Sequence, residues 1–552
     1  MRSDDDHRNV RRTPFSFLMI LVCGGLVGWS PTAAQCEEPV FVNPIAEGAD
    51  PWVIENPVGS GYLWCFSDAN RGIAIHRSDR LTAPGPKRLV WSTPESGPYS
   101  RQVWAPELHF LRGKWYIYFA ASDGRNENHL TYVLESASDD PLGPYTLHGP
   151  LATGEGEDGR SPNIWSIDMT VLEVGDQLLA IWSGWDAPGT DRQYLYIAPM
   201  ASPTTISGPR VRICSNDDYL WERVEPGLQF RGLNEAPQVL KHGDRTFLVY
   251  SCGASWLPTY RLGMLELTGT NPLDPASWKK FDQPVFDGTE STFGVGHSCF
   301  VRSPDRSQWW HIYHAKRSRD PGWQRLIFAQ PFDFRSDGIP DFGKPIQQGT
   351  PQRLPSGESP PGARTSYSSP LTFEVLPDEW TYYGHHQYLK PSGKGLRLGR
   401  PERELVNSYR SGEKVVLPDS FPDDLSIEVE IDFEGDANAR DAGILFRMTH
   451  PAVGYDAQKG YVASLIPRTG LVVLGRTDGK TWTELARNAV TIDPSAPQKL
   501  RVDLHGKSIT IRHQGNVVLK ATDGTYLSGG VGLRVVDSAA TFTDLKIEPL
   551  TK

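Results

Sequence analysis

The chain has 552 residues and a formal net charge of −10, with 14 of its 17 Trp lying between Trp52 and Trp323. That length exceeds one ordinary core, so two folded domains plus appendages are expected. The acidic balance excludes nucleic acid and anionic membrane surfaces as natural partners.

Residues 1–35 have the layout of an export signal. Arg2, Arg8, Arg11 and Arg12 make a positive start, Phe15 to Val27 is apolar but short for a span, and Thr32-Ala33-Ala34 offers a cleavage site. No transmembrane segment remains after its removal, so a secreted or periplasmic protein is expected. Five cysteines then remain, an odd number that spacing does not pair, and no CxxC or Cys/His cluster suggests structural zinc.

Residues 40–350 are short strands broken by Gly, Pro, Asn and Asp. One pattern recurs five times: a polar residue, a short apolar strand, a tight turn and an aromatic strand. It appears as ADPWVIENPVGSGYLWCFSD from Ala49, WAPELHFLRGKWYIYFAAS from Trp104, SIDMTVLEVGDQLLAIWSGW from Ser166, NEAPQVLKHGDRTFLVYS from Asn234 and GVGHSCFVRSPDRSQWWHIYHA from Gly294. Aligned on their polar residues Asp50, Glu107, Asp168, Glu235 and His297, the units are 57, 61, 67 and 62 residues apart. Such a period, with several strands per unit, predicts a five-bladed β-propeller.

In a propeller the first strand of each blade lines the central channel, so equivalent positions converge. Asp50, Asp168 and Glu235 are then carboxylates crowded at one point. Like charges in a cleft raise one another's pKa, which separates an acid from a base. Glycoside hydrolysis requires that pair. Glu107 is assigned a structural role. Trp52, Trp165 and Trp185 lie close to these motifs and are candidates for stacking on sugar.

These motifs resemble the family 43 glycoside hydrolases, five-bladed propellers that remove arabinofuranosyl or xylosyl units. The resemblance implies that Asp50 in ADPWVI is the general base, that Asp168 in SIDMT tunes the acid and orients substrate, and that Glu235 in NEAPQ is the general acid. It also implies a pocket-lining Trp104, a substrate-facing Arg325 in WQRLIFAQ, and a channel His297 in GVGHSCF near a bound calcium or other ion. Ala236 stands where many members have Gly, and Met169 where Pro is frequent. Neither departure removes a functional group. The family mechanism is inverting, with acid and base typically about 6.5–9.5 Å apart, and its chemistry requires no cofactor.

Residues 351–370 are rich in Pro, Gly and Ser, the composition of a linker or an extended strap. Over 371–552 the alternation in SIEVEIDFEG, KLRVDLHG and SITIRHQGNVVLKATDG predicts an antiparallel β-sandwich. It resembles the concanavalin-like sandwiches appended to sugar-cleaving enzymes, where glycan binding and a structural role are both known. The expectation is therefore an all-β exported glycosidase acting on oligo- or polysaccharide, an exo-acting α-L-arabinofuranosidase. The same resemblance extends to β-xylosidase and exo-β-galactanase, and a non-catalytic glycan-binding propeller is the alternative of a different class.

Overall fold

The computed structural model describes residues 38–154, 163–190, 192–224, 232–400 and 412–550. The expected export signal at 1–35 lies outside them. Residues from Pro39 onward form one compact unit, and no described helix is long and apolar enough to cross a membrane.

Five antiparallel sheet units follow one another along the chain, the third and fourth joined into one nine-stranded sheet by the parallel pair Gln193–Leu233. Their innermost strands are Trp52–Glu55, Arg101–Leu111, Ser166–Val174, Leu233–His242 and Gly296–Arg302. Each turns back through a hairpin into a strand that is largely buried, such as Lys114–Ser122 or Arg245–Gly253. The innermost strands touch in sequence order, and the fifth also touches the first. The outer strand of the fifth sheet comes from the start of the chain, with Ala46 opposite Ile327 and Glu47 opposite Leu326. This gives the propeller arrangement that the repeat predicts, and it places the strand Ala46–Glu47 just ahead of Asp50.

The Pro- and Ser-rich stretch is fastened at both ends. Pro351–Arg353 pairs with Val40–Val42, and Tyr367–Ser369 pairs with the strand Ala539–Pro549. Between them the buried Glu358 carboxylate accepts from the backbone of Leu81 at 2.8 Å and of Thr82 at 3.3 Å. It is a strap held by strand edges and by a buried acid.

Two further sheets, of eight and seven strands, share a single apolar core that includes Leu396, Ile427 and Ile511 from one and Val415, Ile444 and Leu474 from the other. This is the β-sandwich. It meets the propeller at the base of the fifth sheet, where the Glu47 amide donates to the Gly384 carbonyl at 3.1 Å and the Val453 amide to the Pro44 carbonyl at 3.1 Å.

Candidate active site

Each innermost strand begins with an irregular step. Asp50, Ala105, Asp168, Ala236 and His297 all have positive φ, at 53°, 42°, 53°, 50° and 48°. The strand pairing shifts beside the last four of them. Positive φ is costly for residues other than Gly and persists where the surrounding structure holds it, often at functional sites. A bulge sets two residues of one strand against one of its partner, so neighbouring side chains can serve the same cavity.

The step corrects the sequence register. Its structural equivalents are Asp50, Ala105, Asp168, Ala236 and His297, so Glu235 sits one residue before the shared position and Glu107 two residues after it. The residues two positions beyond the step are Trp52, Glu107, Thr170, Gln238 and Cys299. Glu107 Oε1 accepts from Gln238 Nε2 at 2.5 Å, its Oε2 lies 3.0 Å from His109 Nε2, and Thr170 also bonds to it. Burial raises the Glu107 pKa, and these hydrogen bonds oppose the rise.

Asp50, Asp168, Glu235, His297 and Arg325 line one cavity of about 820 Å³, with Trp104, Trp165 and Trp185 on its walls. Trp52 does not reach it. Its indole N–H donates to the Leu108 carbonyl at 2.7 Å and its ring packs 4.7 Å from that of His109. Its place two residues past the step puts it with Glu107 and Gln238 rather than with Asp50. The rings of Trp165 and Trp185 stack at 5.0 Å and 10°.

The three carboxylates sit in different fields. Burial alone would raise Asp50, but Arg325, His297 and His314 together hold it well below the usual carboxylate range. Arg325 Nη1 and His297 Nδ1 each lie 3.2 Å from Asp50 Oδ1. His314 Nδ1 lies 3.1 Å from the Asp50 amide nitrogen and 3.3 Å from Asp50 Oδ1. Burial holds His314 neutral, with its pKa pushed down to about 3, and it also lowers that of His297.

Glu235 has the opposite balance. Burial, with a smaller contribution from the Asp50 charge, pushes it up to about 7 against the hydrogen bonds it accepts. Tyr260 donates to Oε1 at 2.7 Å and Gln193 Nε2 to Oε2 at 3.1 Å. Asp168 is raised by burial and by the charges of Glu235, Asp50 and Glu107, while its Oδ2 accepts from the Ala236 amide at 3.1 Å. One cavity thus holds one carboxylate kept ionised and another kept protonated near neutrality.

Among the described residues no group of three or more His, Cys, Asp or Glu is placed to hold a metal ion. Calcium takes about six to eight oxygen ligands. An ion beside His297 would therefore rest on one imidazole and water. The four described cysteines, Cys65, Cys214, Cys252 and Cys299, are free and buried.

Sequence patterns missed several lining or supporting groups. Tyr260, Gln193 and His314 lie on second or third strands or the loops between them, and nothing in their local text marks them. The sandwich also supplies a wall, through His385, His386, Gln387 and Arg400. Its anchor is the segment leading to Asp50: Glu47 pairs in parallel with His385, and its carboxylate lies 3.4 Å from Arg317 Nη1 and 3.7 Å from Arg400 Nη2.

A paired acid and base in a sugar-sized, Trp-walled cavity, on a propeller, define a glycosidase. The model of glycosyl hydrolases family 43 matches residues 41–340. The chain belongs to that family. It is 34% identical over 344 residues to an extracellular exo-α-(1→5)-L-arabinofuranosidase of Streptomyces avermitilis, covering 60% of this chain and 69% of that protein. It is 32% identical to α-L-arabinofuranosidase 43 of Humicola insolens, covering 57% and 66%. The crystal structure of an α-L-arabinofuranosidase from Lactobacillus brevis matches with a TM-score of 0.50 at 31% identity, over 56% of this chain and 98% of that one.

Proposed function

We propose that the chain is an exo-acting α-L-arabinofuranosidase that cleaves arabinan or arabinose-decorated polysaccharide with inversion. The observation that carries the chemistry is the opposed polarity of Asp50 and Glu235 within one cavity. The relatives named above, all arabinofuranosidases, support the sugar.

Glu235 donates its proton to the glycosidic oxygen as the bond from that oxygen to the anomeric carbon breaks. Water attacks the anomeric carbon from the opposite face and gives up a proton to Asp50. The contacts on the Asp50 carboxylate fall on Oδ1, which leaves Oδ2 for that water. The products are free arabinose of inverted configuration and a chain shortened by one unit. Exchange with solvent then returns Asp50 to its ionised form and Glu235 to its protonated form. Asp168 holds the Ala236 amide and so fixes the backbone that aims Glu235. Arg325 keeps Asp50 ionised and faces the sugar, with Trp104 and Trp165 as walls. No cofactor takes part. The sandwich wall beside Asp50 supports exo action, because it bounds the cavity on that side. The Arg-rich, then apolar, start of the chain and the extracellular relative support a secreted or periplasmic location.

The test is a panel of aryl α-L-arabinofuranoside, β-D-xylopyranoside and β-D-galactopyranoside, with the first-formed anomer followed by proton NMR. Release from the arabinofuranoside with initial β-arabinose is expected. Preference for the xyloside or galactoside would overturn the sugar, and retained configuration would overturn the roles of Asp50 and Glu235.

A further inference from the structure

Two indoles outside the catalytic constellation border the same cavity, Trp256 and Trp323. Their rings lie 5.4 Å apart at 50°. Trp323 is 61% exposed, the most solvent-open aromatic side chain among the described residues. An indole left in water forgoes the stabilisation its apolar area would give in a core, so packing does not account for its position.

The pair is built rather than loose. The Gly322 amide donates to the Trp256 carbonyl at 3.0 Å, and Lys316 Nζ donates to the Gly322 carbonyl at 2.5 Å. The Arg325 guanidinium lies 5.6 Å from the centre of the Trp323 ring. The loop that carries Trp256 runs directly into Tyr260, whose hydroxyl donates to Glu235. One end of the aromatic pair thus leads to the support of Glu235 and the other, through Arg325, to Asp50 at 3.2 Å, with Trp323 open to solvent at the rim of the cavity that holds both carboxylates. In an exo-acting pocket the released unit lies among the carboxylates and the rest of the chain runs out through the open rim, so a flat apolar surface there meets the sugar beyond the scissile bond.

We propose that Trp256 and Trp323 form a stacking platform for the pentose unit on the leaving side of the cleaved bond. The C–H face of that ring packs on the indoles, and its hydroxyls stay in solvent. This rests on the arabinofuranosidase reading for the identity of the sugar, but not for the existence of the platform.

The experiment uses the full chain with Trp323→Ala and Trp323→Phe, on arabinobiose to arabinotetraose. The alanine variant is expected to raise KM roughly 3- to 10-fold with kcat within about 2-fold, the range of one aromatic contact. The phenylalanine variant should recover most of the loss. Unchanged KM in Trp323→Ala, or a fall in kcat at unchanged KM, would overturn the platform. If the wild type cleaves xylo- or galacto-oligosaccharides instead, the sugar assignment fails and the same KM comparison on that chain decides the platform. If it cleaves none, electrophoresis through gels containing arabinan, xylan or galactan decides: weaker retardation of Trp323→Ala supports the platform, and equal or absent retardation overturns it.

Discussion

The Asp168 carboxylate accepts a hydrogen bond from the backbone amide of Ala236 at 3.1 Å, and Ala236 follows Glu235 in the chain. Asp168 thus grips the bulge that presents Glu235. Asp168→Asn keeps an acceptor for that amide, whereas Asp168→Ala leaves a buried N–H unpaired, at about 1–3 kcal/mol. Both variants should lose activity, on the order of 10²-fold or more, but thermal unfolding should separate them, with the alanine variant less stable.

The pH profile follows from the same cavity. Glu235 must be protonated to act, and burial pushes its pKa up to about 7. The alkaline limb of kcat/KM is therefore expected near pH 7, with activity falling as the proton is lost. Tyr260 donates to Glu235 and favours its ionised form. Tyr260→Phe removes that donor, so the alkaline limb should move to higher pH. Movement to lower pH would show that the hydroxyl serves the protonated form instead.

Asp50 gives the opposite sign. The Arg325 charge makes the largest single contribution to lowering its pKa. Arg325→Gln should carry the acidic limb of kcat/KM upward, toward the ordinary carboxylate range, and weaken substrate binding as well. A variant with an unmoved acidic limb would mean that the base is held ionised by His297 and His314 alone.

The architecture was legible in the sequence because the five hairpins repeat with one rhythm, and the repeat marked Asp50, Asp168 and Glu235. The register within each unit was not legible. A bulge adds one unpaired residue, so alignment on polar residues equated Glu107 and Glu235 with Asp50, whereas the backbone equates Ala105 and Ala236. That offset explains why Trp52, close to Asp50 in the chain, packs against His109 outside the cavity. Tyr260 and His314 carry no sequence signature because their roles arise from contacts between strands. The wall made by His385 to Gln387 comes from the sandwich, and no local pattern foretells it.

The joint between the domains should respond to pH. Glu413 is fully buried, with its pKa pushed up from 4.5 to about 7 by burial and by Glu47, against hydrogen bonds from Tyr382 at 2.5 Å and the His385 amide at 3.1 Å. The folded state holds this proton more tightly than the unfolded chain does. Its stabilising contribution is complete below the unfolded pKa and is lost as pH rises through about 7. Glu413→Gln should flatten that loss, with a gain at pH 8 on the order of 3 kcal/mol at most. Melting temperatures of both proteins at pH 6 and pH 8 check it, and parallel declines would contradict it.

In the proposed mechanism Glu235 supplies the proton to the departing sugar oxygen. The most direct measurement compares wild type with Glu235→Gln on arabinotriose and on an aryl arabinofuranoside whose phenolate leaves without help. The expected result is a loss on the order of 10²–10⁴-fold in kcat on the trisaccharide, a much smaller loss on the aryl substrate, and no alkaline limb near pH 7 in the variant. Equal losses on both substrates, or full activity of Glu235→Gln on arabinotriose, would contradict it.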